Sequence, residues 1–485
     1  MIREMKRVWV VVLAMFVVLF ISTSIIQGFQ VDALAADSRN TRSMYDSFRA
    51  KRGPILAGGT AVADSQPIDD DYKFQRVYGN PLVYAPVTGY FTLNQGMTGL
   101  EGAMNNYLSG RSGSQFLDWW NSVLTGKEPT GASVETTIDP TVQQVAWDAL
   151  GDYTGAVIVT EVATGKIIAM VSKPSYDPNA LASHDIDAVL ETYDALLADP
   201  AEPLINRAID GDLNPPGSTF KLVVAAAALE SGKYTPESEF PNPASYTLPQ
   251  SDNVVKNASR TTCGSGDTVT LATALRLSCN IPFAELAVEL GYKAIVDQSK
   301  KFGFNQSFDI PMTTAQSTIP QVMNEPQTAL AGFGQFDVRA TPLQIALVSA
   351  AIANGGKEMY PNLVASVTSA DLKQIVGFTP KEFGQPISAQ TAEQLTQMMV
   401  ASVSSGAGSN AKIDNVSVAG KTGTAENGDT DPYTLWFTGF APADSDPKYA
   451  ITVLVEDGGG KGQRGTGNTI AAPIAKTVLE AVLNK

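Results

Sequence analysis

The sequence predicts an α+β fold in which helices pack against one mixed or antiparallel sheet. Two apolar segments, 155–160 and 166–171, flank Ala163-Thr164-Gly165 and are typical of a strand hairpin. Their apolar character is continuous, so we expect this hairpin to be covered on both faces. Two strands before a long helical interval and three after it indicate a single five-stranded sheet. The three later strands are predicted at 416–424, 435–440 and 449–456.

Helices are predicted where capping residues precede an apolar pattern. Asp139 is placed to cap a helix over 140–150, with proline in its first turn. The interval 268–290 is predicted to be two helices separated by Ser278-Cys279-Asn280. Either Ser278 or Asn280 can cap the second of these helices. We expect this insert between the early and late strands to be all-helical.

The N-terminus carries a basic segment followed by an apolar run. Three Lys or Arg side chains lie within residues 1–7, and 8–26 has 19 residues without a charge, close to the ~20 that span a bilayer. With the basic flank inside, the remainder of the chain lies outside the cytoplasm. Ala33-Leu34-Ala35 resembles a signal-peptidase site, but the apolar run is longer than that of a signal peptide and ends well before it. We therefore expect 1–28 to be a cytoplasmic tail and an uncleaved, single-pass membrane anchor.

Residues 29–134 are predicted to form a smaller, separate domain without internal repeats. Residues 57–75 are rich in Gly, Ala and Asp and are predicted to be a surface loop, and a short helix is predicted at 116–124. About 100 residues suffice for a small domain. Regular strand and helix patterns begin near residue 134, so we expect a second, larger domain over 135–485.

Charge and composition exclude several classes of function. The formal net charge is −15 and the pI is about 4.6, which argues against nucleic acid as a partner. His184 is the only histidine, so a histidine-rich metal site is impossible and a Ser-His-Asp hydrolase would have to use this residue. Cys263 and Cys279 are the only cysteines. Outside the cytoplasm they predict a disulfide, and two unpaired thiols are the alternative.

The most unusual stretch is Pro215-Pro216-Gly217-Ser218-Thr219-Phe220-Lys221, which leads into an Ala-rich apolar helix at 222–229. Ser218 and Lys221 are three residues apart and therefore share one face of that helix. A desolvated lysine has a lowered pKa and can take the proton of a serine hydroxyl. The alternative is that Ser218 only caps the helix and Lys221 extends into solvent.

Two glycine-containing patterns match parts of nucleotide-binding motifs and are rejected. Gly420-Lys421-Thr422 matches the end of a phosphate-binding loop, but that motif needs glycine where this chain has Asn415. Gly460-Lys461-Gly462-Gln463-Arg464-Gly465 matches a dinucleotide fingerprint, but only 20 residues follow it, too few for the rest of a βαβ unit. The second pattern is therefore predicted to be a loop.

Three elements remain, Ser218-x-x-Lys221, Ser278-Cys279-Asn280 and Lys421-Thr422-Gly423, and together they are typical of β-lactamases and penicillin-binding proteins. The chain resembles the monofunctional class B penicillin-binding transpeptidases, most of all the actinobacterial group, over nearly its whole length. Ala57-Gly58-Gly59 departs from the family pattern, because many class B members have Asp-Arg after the Arg-Gly motif. The other stretches that carry the resemblance are Arg52-Gly53-Pro54-Ile55, Gly99-Leu100-Glu101, Thr137-Ile138-Asp139, Pro174–Asn179, Asn206-Arg207-Ala208, Gly332-Phe333-Gly334-Gln335 and Thr341-Pro342-Leu343-Gln344.

The resemblance implies a penicillin-binding fold: a five-stranded sheet flanked by helices, an all-helical subdomain, a smaller N-terminal pedestal and one transmembrane helix. It also implies that Ser218 attacks the carbonyl of a D-alanyl-D-alanine stem peptide, releasing D-alanine and leaving an acyl-enzyme. Lys221 would accept the serine proton, and Ser278 would relay a proton to the leaving amine. Asn280 would hold the peptide amide.

The same resemblance implies that the Lys-Thr-Gly strand binds the substrate. Lys421 would supply positive charge, and Thr422 and Thr424, on either side of Gly423, would bind the terminal carboxylate. Backbone N–H groups of Ser218 and Thr424 would form the oxyanion hole. No metal or cofactor would be required.

A protein of this family would act in cell-wall synthesis, during elongation or division, and would bind β-lactams. Its partners would be peptidoglycan stem peptides, strands derived from lipid II, and a SEDS-family glycosyltransferase in the membrane. A secreted β-lactamase would need neither anchor nor pedestal, and a bifunctional enzyme would need a glycosyltransferase domain larger than 29–134. A D,D-carboxypeptidase and a non-catalytic β-lactam receptor or divisome scaffold are the alternatives. Transfer is favoured because an anchor and a pedestal can bring the site to nascent strands.

Overall fold

The computed structural model describes residues 2–30, 50–112, 130–211 and 213–484. The strands are β1 (Ile55–Ala57), β2 (Thr60–Pro67), β3 (Phe74–Tyr78), β4 (Ser133–Thr136), β5 (Gly155–Glu161), β6 (Ile167–Lys173), β7 (Glu239–Pro241), β8 (Tyr246–Thr247), β9 (Val254–Val255), β10 (Thr268–Thr270), β11 (Glu358–Met359), β12 (Val364–Thr368), β13 (Gln374–Gly377), β14 (Glu382–Gly384), β15 (Ala419–Ala425), β16 (Thr434–Ala441) and β17 (Tyr449–Val455). The helices are α1 (Ile2–Phe29), α2 (Pro81–Thr88), α3 (Gly99–Ala103), α4 (Asn105–Leu108), α5 (Pro140–Leu150), α6 (Pro178–Leu181), α7 (Ile186–Ala198), α8 (Lys221–Glu230), α9 (Leu271–Leu277), α10 (Ile281–Leu290), α11 (Tyr292–Lys301), α12 (Glu325–Ala331), α13 (Pro342–Ala353), α14 (Ala389–Ser405) and α15 (Ala471–Leu483). Short 3-10 turns lie at Gly217–Phe220, Ser409–Ala411, Asp457–Gly460 and Gly462–Arg464.

The main core is built around a five-stranded sheet in the order β15-β16-β17-β5-β6, in which every neighbouring pair is antiparallel. The predicted hairpin and the three later strands all belong to it, so the prediction that these five strands share one sheet is confirmed. Helix α13 covers one face, and α5 and α15 cover the other. Burial on both faces explains why the hairpin strands β5 and β6 read as continuous apolar runs.

A second sheet has six strands in the order β13-β12-β4-β1-β2-β3, in which only the β1–β4 pair is parallel. Strands β12 and β13 come from a much later part of the chain than the other four. This sheet therefore joins the N-terminal strands to the larger, later part of the protein. The predicted domain boundary between residues 134 and 135 lies inside β4.

The prediction that 57–75 is a surface loop is wrong, because β2 and the beginning of β3 lie there. Gly58 and Gly59 have positive φ angles of +56° and +75°, which form a tight two-residue turn between β1 and β2. Strand β2 buries the adjacent residues Val62 and Ala63, so it does not show the alternation of a half-buried strand. Pairing with β1 and β3, rather than its own apolar pattern, determines this strand.

Helix α1 contains an apolar span, Arg3–Ile26, with a mean hydropathy of 2.7 and none of its window buried. Among the residues that the structure describes, it is the one helix long and apolar enough to cross a membrane. An exposed apolar surface of this length indicates a single-pass membrane anchor. The signal-peptidase-like Ala33-Leu34-Ala35 and the helix predicted at 116–124 lie outside the described residues.

The helical insert contains the predicted pair, α9 and α10, but it is not all-helical. The short strands β7 and β10 pair with each other, as do β8 and β9. Each of these strands has only two or three residues, which is too short for an apolar alternation to appear in the sequence. Elsewhere the capping prediction is confirmed: Asp139 Oδ1 accepts hydrogen bonds from the N–H groups of Thr141 and Val142, at 2.9 and 3.0 Å.

Candidate active site

Ser218 lies in the 3-10 turn that runs directly into α8. The cap positions of this turn and of α8 are Pro216 and Phe220, so the alternative that Ser218 only caps the helix is not supported. The turn is held from outside by Gly217 N, which donates to Gly334 O at 3.0 Å. Gly334 has a φ of +75°, and an added Cβ would lie 2.0 Å from Gly217 O, so only glycine permits this approach. Ser218 keeps 9 % of its surface exposed.

Lys221 is the first residue of α8 and is completely buried. Its Nζ donates to Ser278 O at 2.9 Å and to Asn280 Oδ1 at 2.8 Å. Burial, and secondly the charge of Lys421, lower the pKa of Lys221 well below its usual value of 10.5. The amine is therefore neutral at pH values where an ordinary lysine is charged. The alternative that Lys221 extends into solvent is wrong.

Lys421 projects from β15 onto the turn between α9 and α10, where Ser278 has a left-handed backbone with a φ of 61°. The Lys421 Nζ donates to Ser278 Oγ at 2.6 Å and to Thr422 O at 2.8 Å. Burial lowers the pKa of Lys421 to about 7. The charge of Lys421 lowers the pKa of Lys221, whereas burial alone lowers that of Lys421.

Strand β15 is an edge of the five-stranded sheet and packs closely on the Ser218 turn. An added Cβ on Gly423 would lie 2.9 Å from Trp436 Cβ and 3.0 Å from Pro216 O, so only glycine lets the strand come this close. Trp436 also binds the segment before Ser218, because its Nε1 donates to Pro215 O at 3.0 Å. Gly423 and Trp436 therefore fix the distance between the strand and the serine.

The two threonines of β15 have partners within the protein. Thr422 Oγ1 donates to Ala407 O at 3.3 Å, and Thr424 Oγ1 accepts from Gly467 N at 3.2 Å. A hydroxyl donates one hydrogen bond and accepts two, so each threonine keeps capacity for a ligand.

A disulfide joins Cys279, in the middle of the turn, to Cys263, and the two Cα atoms are 5.8 Å apart. Residues 254–263, which we call the clamp loop, lie against this turn. Asn257 of the clamp loop is buried, and its Oδ1 accepts from the N–H groups of Asn280 and Ile281 at 2.9 and 3.1 Å. Asn257 therefore caps α10, whereas Asn280 at the cap position makes no side-chain capping bond. Sequence reasoning missed Asn257 because it is 24 residues before Ile281, and capping patterns are recognised only between neighbours.

The structure brings most of the predicted site residues into one contact network. Gly423 packs on the Ser218 turn, and the Ser218 hydroxyl has no hydrogen-bond partner in the described part of the chain. His184 instead pairs with the carboxylate of Asp70. The residues connected to one another by direct hydrogen bonds are Lys221, Ser278, Asn280 and Lys421.

Comparison with known families assigns the chain. A family model described as "Penicillin binding protein transpeptidase domain" matches residues 155–480, which is more than half of the chain. The chain belongs to the penicillin-binding protein transpeptidases. A second family model, "Penicillin binding protein A dimerisation domain", matches residues 52–134 of this penicillin-binding protein.

Two relatives match this penicillin-binding protein along its whole length. The peptidoglycan D,D-transpeptidase PbpA of Mycolicibacterium smegmatis is 41% identical over 494 residues, with 99% of each chain covered. PbpA of Mycobacterium tuberculosis strain H37Rv is 40% identical over 490 residues, again with 99% of each chain covered. The predicted resemblance to actinobacterial class B enzymes is therefore confirmed.

Solved structures confirm the penicillin-binding fold. The crystal structure of penicillin-binding protein A from Mycobacterium tuberculosis has a TM-score of 0.85 at 39% identity, covering 90% of this chain and 99% of that one. The imipenem acyl-enzyme complex of the same relative has a TM-score of 0.85 at 39% identity, covering 90% of this chain and 100% of that one. The 90% of this penicillin-binding protein that they cover is more than the transpeptidase domain at 155–480 alone.

Proposed function

We propose that this penicillin-binding protein is a peptidoglycan D,D-transpeptidase that cross-links stem peptides through an acyl-enzyme on Ser218, with release of D-alanine. It acts in cell-wall synthesis, during elongation or division, and β-lactams acylate the same serine. The observation that carries this proposal is the buried amine of Lys221, three residues from Ser218 and bonded to the turn that Lys421 also contacts. The name of the full-length relatives, peptidoglycan D,D-transpeptidase, supports the same reaction.

Lys221 is the base in this proposal. A neutral amine has two N–H groups and one lone pair, and Lys221 has two acceptors, Ser278 O and Asn280 Oδ1. The lone pair is left for the proton of Ser218 Oγ, which then attacks the carbonyl carbon of the penultimate D-alanine. Backbone N–H groups of Ser218 and Thr424 bind the resulting oxyanion.

Ser278 passes a proton to the leaving amine. Lys421 Nζ donates to Ser278 Oγ, so the hydroxyl hydrogen of Ser278 is directed away from Lys421 and can be given to the nitrogen of the departing D-alanine, while Ser278 Oγ takes a replacement proton from charged Lys421. Lys421, while charged, also favours a bound carboxylate. The same lysine therefore serves both the proton transfer and the binding of the substrate terminus.

The substrate binds along β15. An edge strand offers N–H and C=O groups to an extended peptide, and β15 is such an edge. Thr422 and Thr424 bind the terminal carboxylate, and Gly423 keeps the strand close to Ser218. Asn280 keeps one N–H and one oxygen lone pair for the peptide amide after its two bonds within the protein.

In this proposal residues 1–28 are a cytoplasmic tail and a single-pass anchor, 29–134 are a pedestal, and 135–485 are the transpeptidase domain outside the cytoplasm. Arg3, Lys6 and Arg7, which precede the uncharged run 8–26 of α1, support this orientation. The proposed membrane partner is a SEDS-family glycosyltransferase, which supplies nascent strands made from lipid II. No nucleic-acid partner is proposed, because the net charge is −15.

The test is to combine lipid II, a purified SEDS-family glycosyltransferase and the full-length protein, and to analyse the muropeptides. We expect cross-linked dimers with the wild-type protein and none with Ser218→Ala. Abundant trimmed stems without dimers would indicate the D,D-carboxypeptidase instead. If a fluorescent penicillin forms no adduct with the folded protein, the non-catalytic scaffold is the better description.

A further inference from the structure

Beyond the proposed reaction, we infer that Asn257 is a positioning residue that directs the proton-accepting lone pair of Lys221 by fixing the amide of Asn280. This inference rests on the proposed function, since it concerns the base of that reaction. The hydrogen bonds of the Asn257 side chain all go to backbone groups. It therefore acts through the turn that carries Asn280 rather than on the substrate.

The first step is the orientation of the Asn280 amide. Its Oδ1 accepts from Lys221 Nζ at 2.8 Å, and its Nδ2 donates to Lys256 O at 3.0 Å. A carbonyl oxygen only accepts, so Lys256 O selects the orientation in which the nitrogen faces the clamp loop and the oxygen faces Lys221. In the opposite orientation an N–H of Asn280 would face Lys221 and compete for the lone pair that Ser218 needs.

The second step is what holds Lys256 O in place. Asn257 follows it directly and is only 3 % exposed. Its Oδ1 binds the N–H groups of Asn280 and Ile281, and its Nδ2 donates to Thr261 O at 3.0 Å. One side chain therefore ties the clamp loop both to the catalytic turn and to itself.

The disulfide does not replace this attachment. It joins Cys263 to Cys279 at one end of the clamp loop, where Asn242 also binds the N–H and the C=O of Cys263. Lys256 is seven residues earlier, so its carbonyl can move while the disulfide stays intact. A misplacement of ~1 Å at a reacting group can cost on the order of 10²-fold in rate. Loss of Asn257 should therefore weaken proton transfer while the protein still folds.

The experiment compares two variants at this position with two at Asn253, an exposed asparagine just outside the clamp loop. Full-length protein in detergent is treated with a fluorescent penicillin at several concentrations from pH 6 to pH 10. The concentration dependence separates initial binding from the rate constant of acylation. Asn257→Ala should lower the rate constant by about 10- to 100-fold and leave initial binding unchanged, whereas Asn253→Ala should change neither.

Asn257→Asp tests the pH dependence of the acylation rate, which a merely structural role would not change. A carboxylate still accepts from the N–H groups of Asn280 and Ile281, so the cap on α10 is kept, while the bond to Thr261 O is lost. Its negative charge near the turn favours the charged form of Lys221. The acid limb of the acylation profile should therefore move to higher pH, with recovery of the rate at alkaline pH. Asn253→Asp adds the same charge at an exposed position and should leave the profile unchanged.

The inference is overturned if Asn257→Ala is acylated as fast as Asn253→Ala. It is equally overturned if Asn257→Asp loses the same fraction of its rate at every pH. If the alanine variant fails to fold, the aspartate variant decides, because it keeps the cap. Failure of folded wild-type protein to be acylated at Ser218 would overturn the proposed function as well, whereas normal wild-type acylation with unaffected variants would overturn this inference alone.

Discussion

Replacing Lys421 by Met should stabilise the protein at pH 7, and the gain should shrink as the pH rises. Lys421 is completely buried, and its pKa is lowered from 10.5 to about 7. Between these two values the unfolded chain binds a proton that the folded protein has lost, so the free energy of unfolding rises with pH across this window. Met has a similar length and no charge, and Lys421→Met therefore removes this dependence.

The size of the effect follows from the shift. The fall in the pKa of Lys421 from 10.5 to about 7 corresponds to a maximum cost to folding of about 5 kcal/mol. This cost is about 4 kcal/mol at pH 7 and about 2 kcal/mol at pH 9. The variant also loses the bonds from Nζ to Ser278 Oγ and Thr422 O, each worth about 1 kcal/mol. Lys421→Met should therefore be more stable than wild type by about 2 kcal/mol at pH 7 and equal to it near pH 9.

The assay is thermal unfolding of the full-length protein in detergent at pH 7, 8 and 9. About 2 kcal/mol corresponds to a few degrees in Tm for a domain of this size. Lys412→Met, at an exposed lysine shortly before β15, is the control and should show no pH-dependent difference. A difference between Lys421→Met and wild type that stays constant from pH 7 to pH 9 would show that Lys421 is charged in the folded protein, and would refute the reasoning.

Three further outcomes are expected. Lys221→Ala should slow acylation by a fluorescent penicillin on the order of 10²- to 10⁴-fold without weakening initial binding, and His184→Ala should do almost nothing; equal losses would contradict a lysine base. Cys263→Ser should lower the free energy of unfolding by roughly 3 kcal/mol, and a reducing agent should lower the Tm of the wild type but not of this variant. Glu358→Met should raise the Tm more at pH 8 than at pH 4, because burial raises the pKa of this carboxyl well above 4.5 and the unfolded chain releases a proton that the folded protein retains. The exposed Glu382→Met should show no such trend.

The sequence was sufficient to predict the five-stranded sheet because each of its strands carries its own signal. Strands β5 and β6 have seven residues each, begin with five residues without a polar side chain and are separated by a short turn. The six-stranded sheet has no such signal. Strand β1 has three residues and β4 has four, and their partners are set by long-range contacts such as Val364 with Thr136. Pairings at that distance in sequence leave no local pattern.

The candidate site likewise has features that could be predicted from the sequence and features that could not. The identities of Ser218, Lys221 and Lys421 could be predicted because their spacing and chemistry are recognisable without coordinates. The contacts between them could not, since the bonds from Lys421 to Ser278 and from Lys221 to Asn280 cross 143 and 59 residues. Asn257 shows the limit most clearly. Nothing in its local sequence distinguishes it from other polar loop residues, and only the fold brings it to the beginning of α10.

Burying two lysines in one site opposes folding, so the contacts around them must stabilise the folded protein enough to offset that free energy. The three elements that meet there are α8, the Ser278 turn and β15, and each is held by a different strong contact. The Ser218 turn, which leads into α8, is held by close packing of glycines. The Ser278 turn is held by a disulfide and a buried cap, and β15 by its hydrogen-bonded pairing with β16. None of these is a surface ion pair, which would contribute too little to offset a lysine desolvation of several kcal/mol. Stability and acylation should therefore move in opposite directions in Lys421→Met but fall together in Cys263→Ser, and this contrast separates a residue that reacts from one that holds the site in place.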